Sequence, residues 1–220
     1  MAFQVGQPPD HDFDEPLGLL SDCHRRIEHF LRVLVAVDAE AAGGALTMAH
    51  RAALEGALRY FAVAAPNHTA DEELSLFPRL REIADTIIEV LALVDRLERD
   101  HEEADEHHAA VERLMRRWLA DDRLGPIEAA ELQQRLARLN NLYQRHVSLE
   151  DHQLFPAAAR VLDAAQIEEI GREMAARRHV RPEASDARRR PRQTGTRMTA
   201  AGIGRFVPIT RRRCILTTTR

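Results

Sequence analysis

The chain has 220 residues, with 31 basic and 35 acidic side chains and a formal net charge of −4. This length is sufficient for one domain with its own hydrophobic core. Only 5% of the residues are aromatic, while Ala, Leu, Glu and Arg dominate. That composition favours helices and argues against an all-β sandwich or barrel. The two cysteines, Cys23 and Cys214, have no paired spacing, which excludes a disulfide framework and a cysteine-based zinc site.

The sequence carries no recognisable membrane or export signal. No apolar run approaches the roughly 20 residues that a membrane span needs. Residues 1–15 are polar and acidic and lack the basic and apolar regions of a secretory signal. With the sparse use of cysteine, these features predict a cytoplasmic protein without a membrane partner. Residues 1–14 are predicted to form a flexible N-terminal segment.

Charge divides the chain into two parts. Every basic residue is Arg, and 13 of them lie in residues 177–220 beside only two acids, so this part carries +11. Residues 1–176 carry 33 acids and 18 Arg, or −15, and contain all of the periodic apolar pattern. The absence of periodicity predicts a disordered Arg-rich tail over 179–220. Its charge alone is compatible with nucleic acid, but no reader domain or motif of aromatic residues interleaved with the Arg supports this, and a nucleic-acid partner is not expected.

Apolar residues recur at steps of three and four in four long stretches, the spacing of amphipathic helices. The first stretch begins at Pro16, a residue favoured in the first turn of a helix, and stops at Gly43-Gly44. The second begins near Thr47, and Pro66 is predicted to kink or split it. The third runs from about Asp85 to Ala120.

The fourth stretch follows Gly125-Pro126. The pairs Phe77-Pro78 and Phe155-Pro156 are predicted to end the second and fourth helices, because proline cannot continue the backbone hydrogen bonds. A short fifth helix is predicted from Asp163 to about Arg178. Four amphipathic helices with short connections predict an all-α fold, an antiparallel up-down-up-down four-helix bundle over residues 15–178.

An internal repeat links the second and fourth helices. Residues 68–78 read HTADEELSLFP and residues 146–156 read HVSLEDHQLFP; five of the eleven positions match, including a His and, four residues later, a Glu. A further His precedes the two copies by 44 and 45 residues. A repeat of this kind implies a two-fold arrangement in which the repeated groups meet. The residues that repeat are His24, His68, Glu72, His101, His146 and Glu150.

These six residues predict a metal site. A His and a Glu four residues apart lie on one helix face, and all six fall on the apolar stripes. Imidazoles and carboxylates need partners when buried, and two cations supply them. The nitrogen and oxygen donors suit iron, manganese or zinc better than copper(I) or calcium. The set leaves coordination positions for water, O₂ or another small ligand.

Each piece also has an ordinary explanation. One His on an apolar stripe is more often a hydrogen-bonded core residue, and one His-x3-Glu pair is a common surface interaction. The metal hypothesis depends on the convergence of four stripes that each carry a His, two of which carry a Glu at the same offset.

Acidic residues beside the candidate ligands are candidates for supporting them. Asp105, four residues after His101, is the preferred spare ligand or hydrogen-bond partner of a ligand. Glu73 and Asp151 follow the repeated Glu residues and also neighbour the ligands.

Two further residues are candidates for the lining of a pocket. His108 lies two turns beyond His101 on the same stripe. Tyr143, one turn before His146, either hydrogen-bonds a ligand or a bound small molecule, or is an ordinary core tyrosine.

The six-residue set, with Leu-Phe-Pro after each Glu-containing repeat, resembles the hemerythrin-like (HHE cation-binding) proteins over roughly 15–160. The resemblance implies a bundle around a non-haem, carboxylate-bridged centre of two iron ions. It implies that the four His residues are terminal ligands and that Glu72 and Glu150 are bridges. Manganese and zinc remain alternatives, because imidazole and carboxylate ligands accept several first-row metals.

The resemblance also bears on function. Oxygen-carrying hemerythrins have a fifth His where this chain has Asp105, which argues against reversible O₂ carriage of that kind. The preferred hypothesis is a di-iron protein that binds O₂, or a related ligand such as NO or peroxide, for sensing, storage or scavenging. The alternative is a di-iron enzyme or stress protein that handles NO or peroxide or repairs iron centres. In a third hypothesis the metal only stabilises the bundle. No residue is assigned a catalytic role.

Overall fold

A computed structural model describes residues 9–83 and 88–180 of the chain. These ranges contain helices and no strand, which confirms the all-α prediction. Two five-residue π turns, π1 (Glu72–Leu76) and π2 (Glu150–Leu154), interrupt the helices. The α-helices are α1 (Pro16–Ala41), α2 (Met48–Val63), α3 (Ala65–Asp71), α4 (Phe77–Ile83), α5 (Ile88–Asp121), α6 (Pro126–Leu149), α7 (Phe155–Val161) and α8 (Ala164–Arg177).

Local sequence sets most helix boundaries where they were predicted. Helix α1 starts at Pro16 and ends before Ala42 and Gly43, which have positive φ angles of 45° and 73°. The Thr47 side chain accepts a hydrogen bond from the His50 N–H (3.1 Å) and caps α2. Asp163 caps α8 in the same way. The predicted start of the third helix, Asp85, lies outside the described residues.

Pro66 splits the second predicted helix as expected, since Ala64 separates α2 from α3, where Pro66 lies in the first turn. The prediction that the Phe-Pro pairs end two helices is wrong. Helix α4 runs through Phe77-Pro78 to Ile83, and α7 runs through Phe155-Pro156 to Val161. Each proline directly follows a π turn and occupies the first turn of a new α segment, where its missing N–H breaks no bond.

The two π turns have the same hydrogen bonds. In π1, the Glu72 N–H is shared by the carbonyls of His68 and Thr69, and the Phe77 N–H bonds the Glu72 carbonyl, five residues back. In π2, the Glu150 N–H is shared by His146 and Val147, and the Phe155 N–H bonds the Glu150 carbonyl. The repeat seen in the sequence is therefore a repeat of backbone geometry, and π turns of this kind occur often at functional sites.

The long helices pack as two consecutive pairs, α1 with α2 and α5 with α6, and α1 also packs against α6. Buried apolar side chains form two separate clusters. The first apolar cluster surrounds Trp118 and includes Leu34, Leu54 and Leu136. The second surrounds Phe77 and includes Leu20, Leu97 and Leu154. The helices α1 and α5 contribute buried residues to both clusters, and α6 packs half-buried Leu149 against the second.

Helix α8 closes one side of the bundle. The Asp71 carboxylate, fully buried on α3, accepts hydrogen bonds from Arg177 (2.7 Å) and Arg178 (2.6 Å). Before α1, the His11 N–H donates to Asp22 (2.8 Å), and the Phe13 carbonyl lies against Gly171 of α8.

Two predicted segments are only partly described. Of the predicted flexible segment 1–14, residues 1–8 lie outside the described part of the chain, as do residues 181–220 of the predicted tail. Within the part that the structure describes, no helix combines the length and hydropathy needed to cross a lipid bilayer.

Candidate metal centre

A layer of polar side chains lies between the two apolar clusters. Helix α1 contributes His24 between Leu20 and Ile27, and α5 contributes His101 between Leu97 and Ala104. The segments around π1 and π2 contribute the rest. All six residues predicted as ligands are buried in this layer: His24, His68, Glu72, His101, His146 and Glu150.

The six side chains form two groups that share both carboxylates. The first group is His24, His68, Glu72 and Glu150, and the second group is Glu72, His101, His146 and Glu150. Within each group, the candidate ligand atoms all lie within 4.8 Å of one another. Each group therefore offers two imidazole nitrogens and two carboxylates, a donor set that fits one first-row metal ion.

The distances place the imidazole Nε2 atoms around the two carboxylates. His68 Nε2 is 3.2 Å from Glu72 Oε1, and His101 Nε2 is 3.3 Å from Glu72 Oε2. On the other carboxylate, His24 and His146 Nε2 lie 3.0 Å and 3.2 Å from Glu150 Oε2. The sequence repeat thus brings the four imidazoles onto one pair of carboxylates.

Most inward-facing atoms of the layer are close but not hydrogen-bonded, although the Nε2 atoms of His101 and His146 lie within hydrogen-bond distance of each other (3.2 Å). Both oxygens of Glu72, both oxygens of Glu150 and the His24 Nε2 are buried without a hydrogen-bond partner among the described residues. Leaving such atoms unpaired in the interior is costly. Because the donors converge without the alignment of hydrogen bonds, the residues fit a pair of metal ions better than a closed hydrogen-bond network.

Three carboxylates, the outer carboxylates, lie behind the imidazoles. Asp151 Oδ1 is 3.0 Å from His24 Nδ1, and Glu73 Oε1 is 2.9 Å from His101 Nδ1. Asp100 Oδ2 lies 3.6 Å from His146 Nδ1, an ion-pair distance. The hydrogen bonds of Asp151 and Glu73 hold the imidazoles of His24 and His101 with the Nε2 lone pair directed at a metal. Asp100 is not hydrogen-bonded to His146 and acts on it through its charge.

The sequence analysis preferred a residue that does not lie behind an imidazole and did not name one that does. It preferred Asp105, which is exposed and lines a surface groove. The useful signal was the acid directly after each repeated Glu, namely Glu73 and Asp151. Asp100 was missed, because no repeated feature marks it.

Burial and charge set the protonation of the layer. Burial opposes protonation of His24, yet Asp151 and Glu150 raise its pKa to about 10. Burial and the charge of nearby Glu150 raise the pKa of Glu72 to about 7. Against the effect of burial, His146 and His24 hold the pKa of Glu150 below its ordinary value.

The pKa values of His146 and His68 shift in opposite directions. His146 has a pKa raised to about 10, since Glu150 and Asp100 outweigh the effect of burial. Burial and the positive charge of His24 hold the pKa of His68 well below its ordinary value. Without metal, protons on His24 and His146 thus supply part of the positive charge that a cation would bring.

The two predicted pocket residues contact each other. The His108 Nε2 and the Tyr143 hydroxyl are 2.9 Å apart, and Tyr143 lies against His146 with 6.4 Å between ring centroids. Burial and the nearby His107 lower the pKa of His108 to about 4. His108 also lines a groove of about 230 Å³ between α2 and α5, together with Phe61 and Asp105. His108 thus lines the groove and contacts Tyr143, which lies against the candidate ligand His146.

Comparison with known proteins agrees with this geometry. Residues 15–158 match the family model of the hemerythrin HHE cation-binding domain. The chain belongs to this family. An uncharacterized protein of Haemophilus influenzae is 31% identical over 170 residues, which cover 77% of this chain and 93% of the relative. The matched range of the hemerythrin HHE domain includes all six candidate ligands, and α8 lies beyond it.

Proposed function

We propose that this hemerythrin-like protein binds two iron ions, one in each group of the buried layer, and uses them to bind O₂ or a related small ligand such as NO or peroxide. The observation that carries the proposal is the set of buried, unpaired donor atoms around Glu72 and Glu150. When bound, iron would supply reversible binding of the small ligand and one-electron redox chemistry. Manganese and zinc are the competing metals, since the donors accept either.

The side chains have distinct roles in this proposal. Glu72 and Glu150 belong to both groups and would bridge the two ions, while each of the four imidazoles would bind one ion. Asp151 and Glu73 accept hydrogen bonds from Nδ1 and keep the opposite nitrogen free for metal. The flanking apolar clusters exclude water from both sides of the layer.

The groove between α2 and α5 is an argument for a small ligand. Its lining includes Leu34, Leu58 and Phe61, and His108, which also lines it, contacts Tyr143 next to His146. With a volume of about 230 Å³, the groove has room for a diatomic molecule or peroxide. The cytoplasmic location and the up-down-up-down order of the helices, like this ligand class, stay predictions.

Metal analysis of the full-length protein, purified without added metal, tests the proposal. We expect two irons per chain and a visible absorption spectrum that changes when the reduced protein meets O₂ or NO. The variant Glu150→Gln removes a charge shared by both groups and should reduce the iron content below one per chain. The variant His107→Ala is the control, because half-buried His107 lies outside both groups and pairs with exposed Glu103 four residues away (3.7 Å).

Three outcomes would contradict parts of the proposal. Zinc or less than one metal per chain would exclude the di-iron centre. Iron binding without a spectral response to O₂, NO or peroxide would reduce the metal to a structural role. Catalytic consumption of peroxide or NO, in excess of stoichiometric uptake, would favour the enzyme alternative.

A further inference from the structure

The two groups of the layer differ in one contact. Three of the four imidazoles have an outer carboxylate facing Nδ1. The Nδ1 atoms of His68 and His146 are both buried without a hydrogen-bond partner among the described residues, but Asp100 lies within ion-pair distance of His146 Nδ1 (3.6 Å), whereas no described carboxylate lies within that distance of His68 Nδ1. His24 Nδ1 lies 3.0 Å from Asp151, and His101 Nδ1 lies 2.9 Å from Glu73. Because these two contacts are alike, the difference between the groups lies in the surroundings of His68 and His146.

The repeat explains this difference. Asp100, which faces His146, directly precedes His101 in the sequence. The residue at the corresponding place, directly before His24, is Cys23. A cysteine has no carboxylate to place behind an imidazole, so the first half of the bundle lacks the partner that the second half has.

A carboxylate behind a histidine ligand has a known effect on metal affinity. It fixes the tautomer and the ring orientation, and it raises the basicity of the nitrogen that binds metal; removing such a partner typically costs about 10–100-fold in affinity. His68 has no such carboxylate behind its ring among the described residues. Its neighbours are the edge of the His24 ring, at 4.9 Å between centroids, and Glu72.

Resting on the proposed function, we propose that the two metal positions are unequal, that the second group holds its ion more tightly than the first, and that Asp100 is the positioning residue that causes the difference. The first group then exchanges its ion while the second group keeps one. The inequality arises from this chain's own residues and is independent of which ligand the centre binds.

Anaerobic titration of the metal-free, full-length protein with Fe(II), followed by calorimetry, tests this. We expect two binding steps whose affinities differ by about 10–100-fold. Asp100→Asn should weaken the tighter step and remove most of the separation, whereas Asp100→Glu, which keeps the charge, should retain it. His68→Ala should abolish the weaker step and preserve the tighter one.

Glu102→Gln is the matched control, because it removes one negative charge from the same stretch of α5 at an exposed position; it should leave both steps unchanged. Thermal melting of the metal-free variants gives a second readout, and a positioning role predicts that Asp100→Asn melts within a few degrees of wild type. Two ions bound with one affinity, or a separation that survives Asp100→Asn, would overturn this inference and leave the proposed function intact. Failure to bind iron at all would overturn the proposed function instead.

Discussion

The two apolar clusters and the polar layer between them are stabilised in different ways. The clusters around Trp118 and Phe77 gain their stability mainly from the burial of apolar side chains. The layer places two carboxylates and four imidazoles in the same interior, with several atoms unpaired. The comparison shows that the two apolar clusters can keep the polar layer folded, although its buried unpaired groups are destabilising, until a cation binds and stabilises them.

The largest expected effect is the gain in stability on metal binding, which should depend on the layer and not on the clusters. A metal ion that binds only the folded protein raises the free energy of unfolding by about 4 kcal/mol when its free concentration is 1,000 times its dissociation constant. Glu72→Gln should abolish this gain. In the metal-free protein the same variant should be as stable as wild type or more so, because it removes a buried charge that repels Glu150. Chemical denaturation with and without Fe(II) measures both; a large loss of metal-free stability would contradict this account.

A substitution in the first apolar cluster should change the free energy of unfolding by the same amount with and without metal. Trp118 is fully buried and its indole N–H donates to the Gly44 carbonyl (2.8 Å). Trp118→Ala should cost about 3–5 kcal/mol, equally in the metal-free and the metal-loaded protein. Leu74→Ala, at an exposed position, is the control and should change little. If Trp118→Ala abolished iron binding in protein that remains folded, the layer and the cluster would not be independent.

The protons held by the layer predict how metal binding depends on pH. Since the pKa values of His24 and His146 are about 10 in the metal-free protein, both are protonated at neutral pH and must lose a proton to bind metal. Lowering the pH should therefore weaken binding, by about 1.4 kcal/mol per pH unit for each proton displaced. Calorimetry in buffers of different ionisation enthalpy counts these protons. Metal binding without proton release would show that the imidazoles are already neutral.

The smallest expected effect concerns two glycines inside helices. A Cβ atom at Gly56 in α2 would meet nothing within 4 Å, so Gly56→Ala should stabilise the protein by about 0.5–1 kcal/mol. A Cβ at Gly171 in α8 would collide with the Phe13 carbonyl oxygen, so Gly171→Ala should destabilise the protein. Thermal melting compares the two; equal effects would mean that Phe13 does not pack against α8.

Much of the fold and of the centre could be predicted from the sequence because both depend on spacing. The period of apolar residues identifies the helices, and Pro66 and Asp163 mark local boundaries by their own chemistry. The His-x3-Glu repeat identifies the six residues that meet in the layer, since residues four apart share a face.

The errors arise where backbone geometry departs from the regular helix. The Phe-Pro pairs were expected to end helices, but a π turn before each proline allows the next α segment to continue. Asp105 was expected beside His101 from helical spacing, yet it points to the surface. Asp100 contacts His146 on a different helix, and spacing within one helix carries no information on that contact.

Each π turn changes the direction in which the residues after it face, relative to the residues before it. A π turn contains one residue more than the α-helical path would need, and one residue corresponds to a rotation of about 100°. Deleting the exposed Leu74 from π1 would therefore leave the chain upstream in place and turn the face that carries Phe77 and Leu80 away from the core. One extra residue thus lets a single helix present a carboxylate to the polar layer and an apolar face to the cluster beside it.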